Sequence, residues 1–289
     1  MKNRNHSLML SITVSILIFG QTGCAGSLAQ DDEDVGAAES ALETDNALTP
    51  NALTPNALTP NALTPNALTP NALTPNSLAP SALSAIQDPG LAGTLSRQHL
   101  KYTVSCALDA YQSFSFSWTD SLSVVHDETY RGSLGLWTAW ATTSLSTMGQ
   151  RWISACLAAR TNYYGIPVTI SSRAPVWPLN KQNTPEAATY TKEEGVFWGN
   201  IYTSPPTVYS CHIAADDENS RSQLRDCAAG HVDPSTGVVS SCGAIQLLGS
   251  CDDYCTRLSG SGLNHPSCWS DLSNVSATTN RQPITVALQ

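Results

Sequence analysis

Proline recurs at every fifth position from Pro50 to Pro80, and no stretch with that spacing can be an interior helix. Each proline removes a backbone donor and turns the residue before it out of the α region. The unit is Asn-Ala-Leu-Thr-Pro, repeated six times without change from Asn46 to Pro75. Asn76 to Pro80 is an eroded seventh copy, and Ser81 to Ala85 an eighth without proline. A five-residue β-solenoid is set aside, because its units place Asn or Asp next to the central Leu, and here Ala intervenes. The expectation is a proline-rich linker. At about 3.1 Å per residue, 46–80 would span on the order of 100 Å.

The residues before the repeat read as an export address. Lys2 and Arg4 precede an apolar run, Leu8–Phe19, which is shorter than the ~20 residues of a spanning helix. Gln21-Thr22-Gly23-Cys24 resembles a lipobox, although Gln21 stands where an aliphatic residue is usual. It implies cleavage after residue 23 and a lipid on Cys24; the competing site is Ser27-Leu28-Ala29. Seven of the fifteen residues in 31–45 are acidic. Removing those seven acids and the two bases of the signal leaves 16 acids and 12 bases, a net of −4 over 86–289. This mild charge excludes a basic nucleic-acid binder and implies no charged partner.

Nine cysteines become an even eight once Cys24 is set apart. In an exported chain, Cys106, Cys156, Cys211, Cys227, Cys242, Cys251, Cys255 and Cys268 are expected to form up to four disulfides. Eight cysteines allow about 105 connectivities, which the sequence leaves open. The domain plan is therefore a signal over 1–23, an acidic and repetitive disordered stalk over 24–88, and one disulfide-rich domain over 89–289.

Within that domain, apolar spacing predicts a helix over Ser96–Ala110, with Thr94 or Ser96 as cap. A second is predicted over Thr147–Tyr163, with Met148, Trp152, Ala155, Cys156, Ala159 and Tyr163 on one face. Phe114, Phe116 and Trp118 alternate with serines, which predicts a strand. Further strands are expected at 122–126, 166–170, 196–202, 207–213 and 282–288, and a short helix at 251–258. Two helices and several strands without a βαβ rhythm give an α+β fold with an antiparallel sheet.

Four blocks carry a resemblance. They are Gln150–Asn162 continuing through Tyr164-Gly165, Gly132–Leu136 with Trp140, Glu194–Asn200, and Ile284-Thr285-Val286. With the tandem repeat, they make the chain similar to a group of uncharacterised exported lipoproteins of the myxobacterial type. The resemblance covers nearly all of 98–289. It implies envelope location and a single fold, and it brings no catalytic residues.

Chemistry has to be weighed residue by residue. Gln150 and Cys156 have the spacing of the oxyanion Gln and nucleophile of papain-like enzymes, with His212, His231 or His265 as a base. Cys156 instead lies mid-helix, and the structural reading pairs it with Cys106. Cys251-Asp-Asp-Tyr-Cys255 lacks the paired knuckles of a zinc site, and Asp216–Asn219 lacks the frame of an EF-hand. No metal and no cofactor are expected. Glu193 and Glu194, adjacent on a strand, should point apart and so fail as an acid/base pair. Phe197, Trp198 and Asn200 remain as a candidate aromatic platform for sugar rings. Trp118 and Trp152 are expected in the core, while Trp140, Trp177 and Trp198 are open. The expectation is a monomeric envelope lipoprotein, on the outer membrane or cell surface, with a binding or structural domain. Its partners are the membrane, through the lipid, and cell-wall or extracellular polysaccharide. The alternative is a secreted hydrolase acting on polysaccharide or peptide.

Overall fold

A computed structural model of the chain describes residues 48–51, 57, 68, 71–180, 185–258, 265–269, 279–280 and 282–289. The signal, Cys24, the alternative cleavage site and the acidic segment lie outside them. Strand β1, Leu48–Asn51, comes from the first two repeat units and pairs antiparallel with residues 168–171. It lies at the sheet edge, where a proline is tolerated because a missing N–H costs no ladder bond.

The fold takes in more of the repeat region than the sequence suggests. Leu68, Leu73 and Leu78 are buried, and helix α1 spans Pro80–Gln87 with Ala82 and Ile86 facing inward. The expected linker therefore does not describe residues 71–88. The physical reason lies in the erosion of the repeat. Pro80 falls at the start of the helix, where its absent N–H would be unpaired anyway, and the eighth copy has no proline to stop the helix. Helix α2, Leu91–Ala107, begins earlier than expected because the Asp88 carboxylate accepts from the Gly90 and Gly93 backbone N–H groups. Arg97 of α2 donates to the carbonyls of Ile86 and Asp88 at the end of α1 and stacks 3.6 Å over Trp118.

Strands β2, Ser113–Thr119, and β3, Val125–Arg131, form a hairpin with Phe114, Phe116 and Tyr130 on its buried side. Helix α3, Thr147–Ala159, is capped by Ser146, whose hydroxyl accepts from Gly149 N–H at 3.3 Å. It ends before Tyr163, and Met148 is exposed, so both leave the expected buried face. Next come β4, Val168–Arg173; α4, Pro185–Thr189; β5, Lys192–Asn200; and β6, Thr207–His212. Helix α5 is Asp217–Ser222, followed by the small strands β7, His231–Val232, and β8, Val239–Ser240. Strand β9, Ile245–Ser250, leads into α6, Cys251–Tyr254, and β10, Cys255–Thr256. Strands β11, Ser267–Trp269, β12, Thr279–Asn280, and β13, Ile284–Leu288, complete the described elements.

The main sheet runs β1-β4-β13-β5-β6-β9. Its pairs are antiparallel except β6–β9, which is parallel. Helix α3 packs against β5, β13 and β6. A second cluster gathers Val196, Trp198, Tyr209, Cys211, Cys251, Cys255 and Cys268, away from the main core. All eight expected cysteines pair, as 106–156, 211–251, 227–242 and 255–268. The first of these ties α2 to α3. The fold is α+β and disulfide-rich.

Candidate functional site

The expected aromatic platform does not form. Phe197 and Trp198 are both fully buried, Phe197 in the main core and Trp198 in the cysteine-lined cluster, where its Nε1–H donates to the Trp269 carbonyl at 2.7 Å. Asn200 is also buried. Its Nδ2 donates to Gln150 Oε1 at 2.9 Å and its Oδ1 accepts from Tyr202 N–H, so it joins the end of β5 to α3. The reason is that β5 is covered on both faces, and consecutive side chains are buried whichever way they point. Gln150 is engaged by Asn200, and Cys156 is held in its disulfide, so no thiol nucleophile exists there. Trp140 is buried, Trp152 nearly so, Trp118 half-buried, and Trp177 exposed.

Glu193 and Glu194 do point apart. Glu194 forms a buried pair with Arg225, whose Nε donates to Oε2 at 2.8 Å. Ser220 donates to the other oxygen, and Arg225 Nη2 donates to the carbonyl of Ala159 at the end of α3. Glu193 instead faces Arg257 Nη2 at 3.0 Å and His265 Nδ1 at 3.3 Å. Burial raises the Glu193 pKa, against the pull of Arg257. Burial, helped by the Arg257 charge, pushes His265 down to about 4. Nearby Glu186, also raised by burial, accepts from Ser171 and shares that hydroxyl with Arg173. Apart from Arg257, which reaches Glu193 from the surface, these groups are buried and hold the sheet to its covering segments. Asp216 and Asp217 are likewise spent locally, on the Glu193 backbone N–H and on His212.

Among the described residues, a surface constellation of chemical interest lies around Asp226. Its side chain is 2% exposed, and Oδ2 accepts both from His231 Nδ1 and from the Tyr164 hydroxyl, each at 2.8 Å. Arg221 Nε stands 4.0 Å from Oδ1. The Tyr163 ring stacks on His231 with centroids 3.7 Å apart and planes 8° from parallel, and Tyr164 stands edge-on to both. Tyr163 and Tyr164 are 38% and 40% exposed.

Local chemistry accounts for each placement. The helix stops at Ala159, and Asn162 fixes the following turn by accepting from Tyr164 N–H and donating to the Ile166 carbonyl. His231 sits on β7, and Asp226 precedes a cysteine tied to Cys242. Because a carboxylate only accepts, His231 Nδ1 is the protonated nitrogen, which leaves Nε2 as the basic one. Partial burial, then the bond and charge of Asp226, raise the Tyr164 hydroxyl pKa. The arrangement offers an aromatic surface with an oriented imidazole in its middle. It can stack on a flat or ring-shaped ligand, or accept a proton. His231 was among the candidate bases read from sequence, but Asp226 and the tyrosine pair were not. The adjacent tyrosines directly after an amphipathic helix were the available signal. Among the described residues, no three His, Cys, Asp or Glu side chains cluster as a metal site would require. No protein family, curated protein or solved structure matches the chain.

Proposed function

We propose that this chain is an exported envelope lipoprotein of the myxobacterial type, anchored through Cys24, whose domain binds a polysaccharide surface through Tyr163, Tyr164 and His231. The observation that carries the binding reading is the stacked, partly exposed Tyr163–His231 pair, backed by a buried carboxylate. Exposed aromatic rings that are held in place offer an apolar face to a ligand at little entropic cost. Export is supported by the pairing of all eight remaining cysteines, which leaves Cys24 as the odd one out. The acidic residues and the repeat connect the lipid to the domain.

The test is a binding screen of the exported chain on isolated cell wall and extracellular polysaccharide. Wild type binds, and Tyr163→Ala weakens binding about tenfold, the loss expected of one aromatic contact. Wild type that binds neither material refutes the reading. Mass spectrometry of the mature N-terminus tests the anchor: a chain starting at an unmodified Gln30 refutes it.

A second reading, an exported hydrolase, draws on the Asp226–His231 dyad alone. A carboxylate-oriented imidazole is the general base of many acyl-transfer sites. Hydrolysis of polysaccharide or peptide that is abolished by His231→Gln would favour it over binding.

A further inference from the structure

The domain holds repeat units at several separate places. The backbone of Leu48–Asn51 pairs with β4 in the register Leu48↔Ser171 through Asn51↔Val168. The carbonyl of Ala57, in the third unit, lies 3.0 Å from Nδ1 of buried His99. Burial pushes the His99 pKa down to about 4, so the ring is neutral and donates from Nδ1 to that carbonyl. Leu68, in the fifth unit, is fully buried. In the sixth, Leu73 N–H donates to the Trp140 carbonyl at 2.7 Å, while Trp140 Nε1 donates back to the Asn71 carbonyl at 3.1 Å.

Every one of these contacts is made to a main-chain group or to the repeat's single leucine. None distinguishes one unit from another, because units one to six are identical. A strand is usually locked in register, since a slip changes which residues meet the core. A slip of five residues that puts each following unit in the place of the one before restores the same residue at every one of these contacts. The same degeneracy makes the source of the units immaterial.

We infer that the β4 edge and the Trp140 surface form a receptor for Asn-Ala-Leu-Thr-Pro units, and that this receptor takes units from a second copy of the chain as well as from its own. Neighbouring copies are then joined by exchanged repeats, a form of domain swapping. The inference does not depend on the polysaccharide reading. It adds pairing between copies to whatever the domain binds. In solution the chain's own repeat competes at an effective concentration of about 1 mM, so exchange at 100 µM involves roughly a tenth of the molecules. Copies crowded on one surface exchange more.

The test places one cysteine on each side of the register. Cα partners of an antiparallel pair stand about 4.5–5.5 Å apart, within disulfide reach. In the full exported chain, Asn51→Cys with Val168→Cys links within one molecule on oxidation. An equimolar mixture of the two single variants yields a covalent pair of chains. Its fraction rises with concentration and falls when a synthetic peptide of three Asn-Ala-Leu-Thr-Pro units is added. A peptide with Leu replaced by Asp has no effect. If the double variant links and the mixture does not, the repeat is a private strap and the inference fails. If the double variant also does not link, the β1 pairing itself fails and takes the inference with it. A second measurement avoids new cysteines: fluorescein-labelled three-unit peptide shows saturable polarisation with wild-type chain, and its absence refutes the receptor.

Discussion

The Glu194–Arg225 pair offers the sharpest test of how the core is held. The guanidinium is fully buried and the carboxylate 1% exposed, so neither charge has water to fall back on. Glu194→Gln keeps the shape and removes the countercharge. Breaking one partner of a buried pair costs about 3–5 kcal/mol, because the other charge is left stranded. With a urea slope of about 2 kcal/mol per molar, the unfolding midpoint drops by roughly 2 M. Arg225→Met costs a similar amount, since it strands Glu194 and also abandons the Ala159 carbonyl. Glu194→Gln with Arg225→Met together should cost less than either alone, at about 1–2 kcal/mol, because no charge is left stranded and only the Ala159 carbonyl loses its donor, while Ser220 still donates to the carbonyl of residue 225. The assay is equilibrium urea unfolding under oxidising conditions, arranged as a double-mutant cycle. A single-variant loss below about 1 kcal/mol, or simple additivity of the two, refutes the argument that these charges depend on one another.

Other consequences follow from cross-links, burial and close contact. Loop closure predicts that replacing Cys106 and Cys156 by Ala, across a separation of 50, costs about 4 kcal/mol, against about 3 kcal/mol for Cys255 and Cys268 across 13; denaturation of the two variants should show that order. His99 stays neutral in the fold down to about pH 4, whereas the unfolded chain protonates it below about 6.5. Its contribution is therefore whole above pH 6.5 and drains to roughly 3 kcal/mol less by pH 4. Glu186 and Glu193 have raised values and work in the opposite direction, so the effect is read as wild type minus His99→Gln over that window. Gly195→Ala places a Cβ 2.2 Å from the Cys211 carbonyl oxygen and 2.9 Å from Ala228 Cβ; a loss above 2 kcal/mol in thermal or urea unfolding is expected.

What was legible in the sequence was mostly periodic. The serine–aromatic alternation of 113–119 became β2, and the apolar stripe of 147–159 became α3. The stripe of 96–110 and that of 147–163 placed Cys106 and Cys156 on helices and made their pairing visible. The other three disulfides were not legible, since nothing in the spacing ranks one partner above another. The parallel β6–β9 pair was hidden because its crossover is made by the short helix α5 and the small β7–β8 pair rather than by one long amphipathic helix. Helix α1 was missed because the proline argument was carried past Pro80, the point where prolines cease. Phe197-Trp198 misled because a strand covered on both faces gives no alternation from which to read exposure. The site around Asp226 depends on Tyr163 and Tyr164 lying 62 or more residues from their partners, a separation that no local pattern bridges.

The seat of β13 between β4 and β5 sets the order in which this molecule can be made. Strands 168–173 and 192–200 leave the ribosome early, yet neither can meet its central neighbour until residues 284–288 have followed, some eighty residues later. Until then the two halves of the sheet present open edges with no partner between them. Proteolytic clipping just before Ile284 should undo the sheet from its middle, leaving the flanking disulfides intact around a split interior.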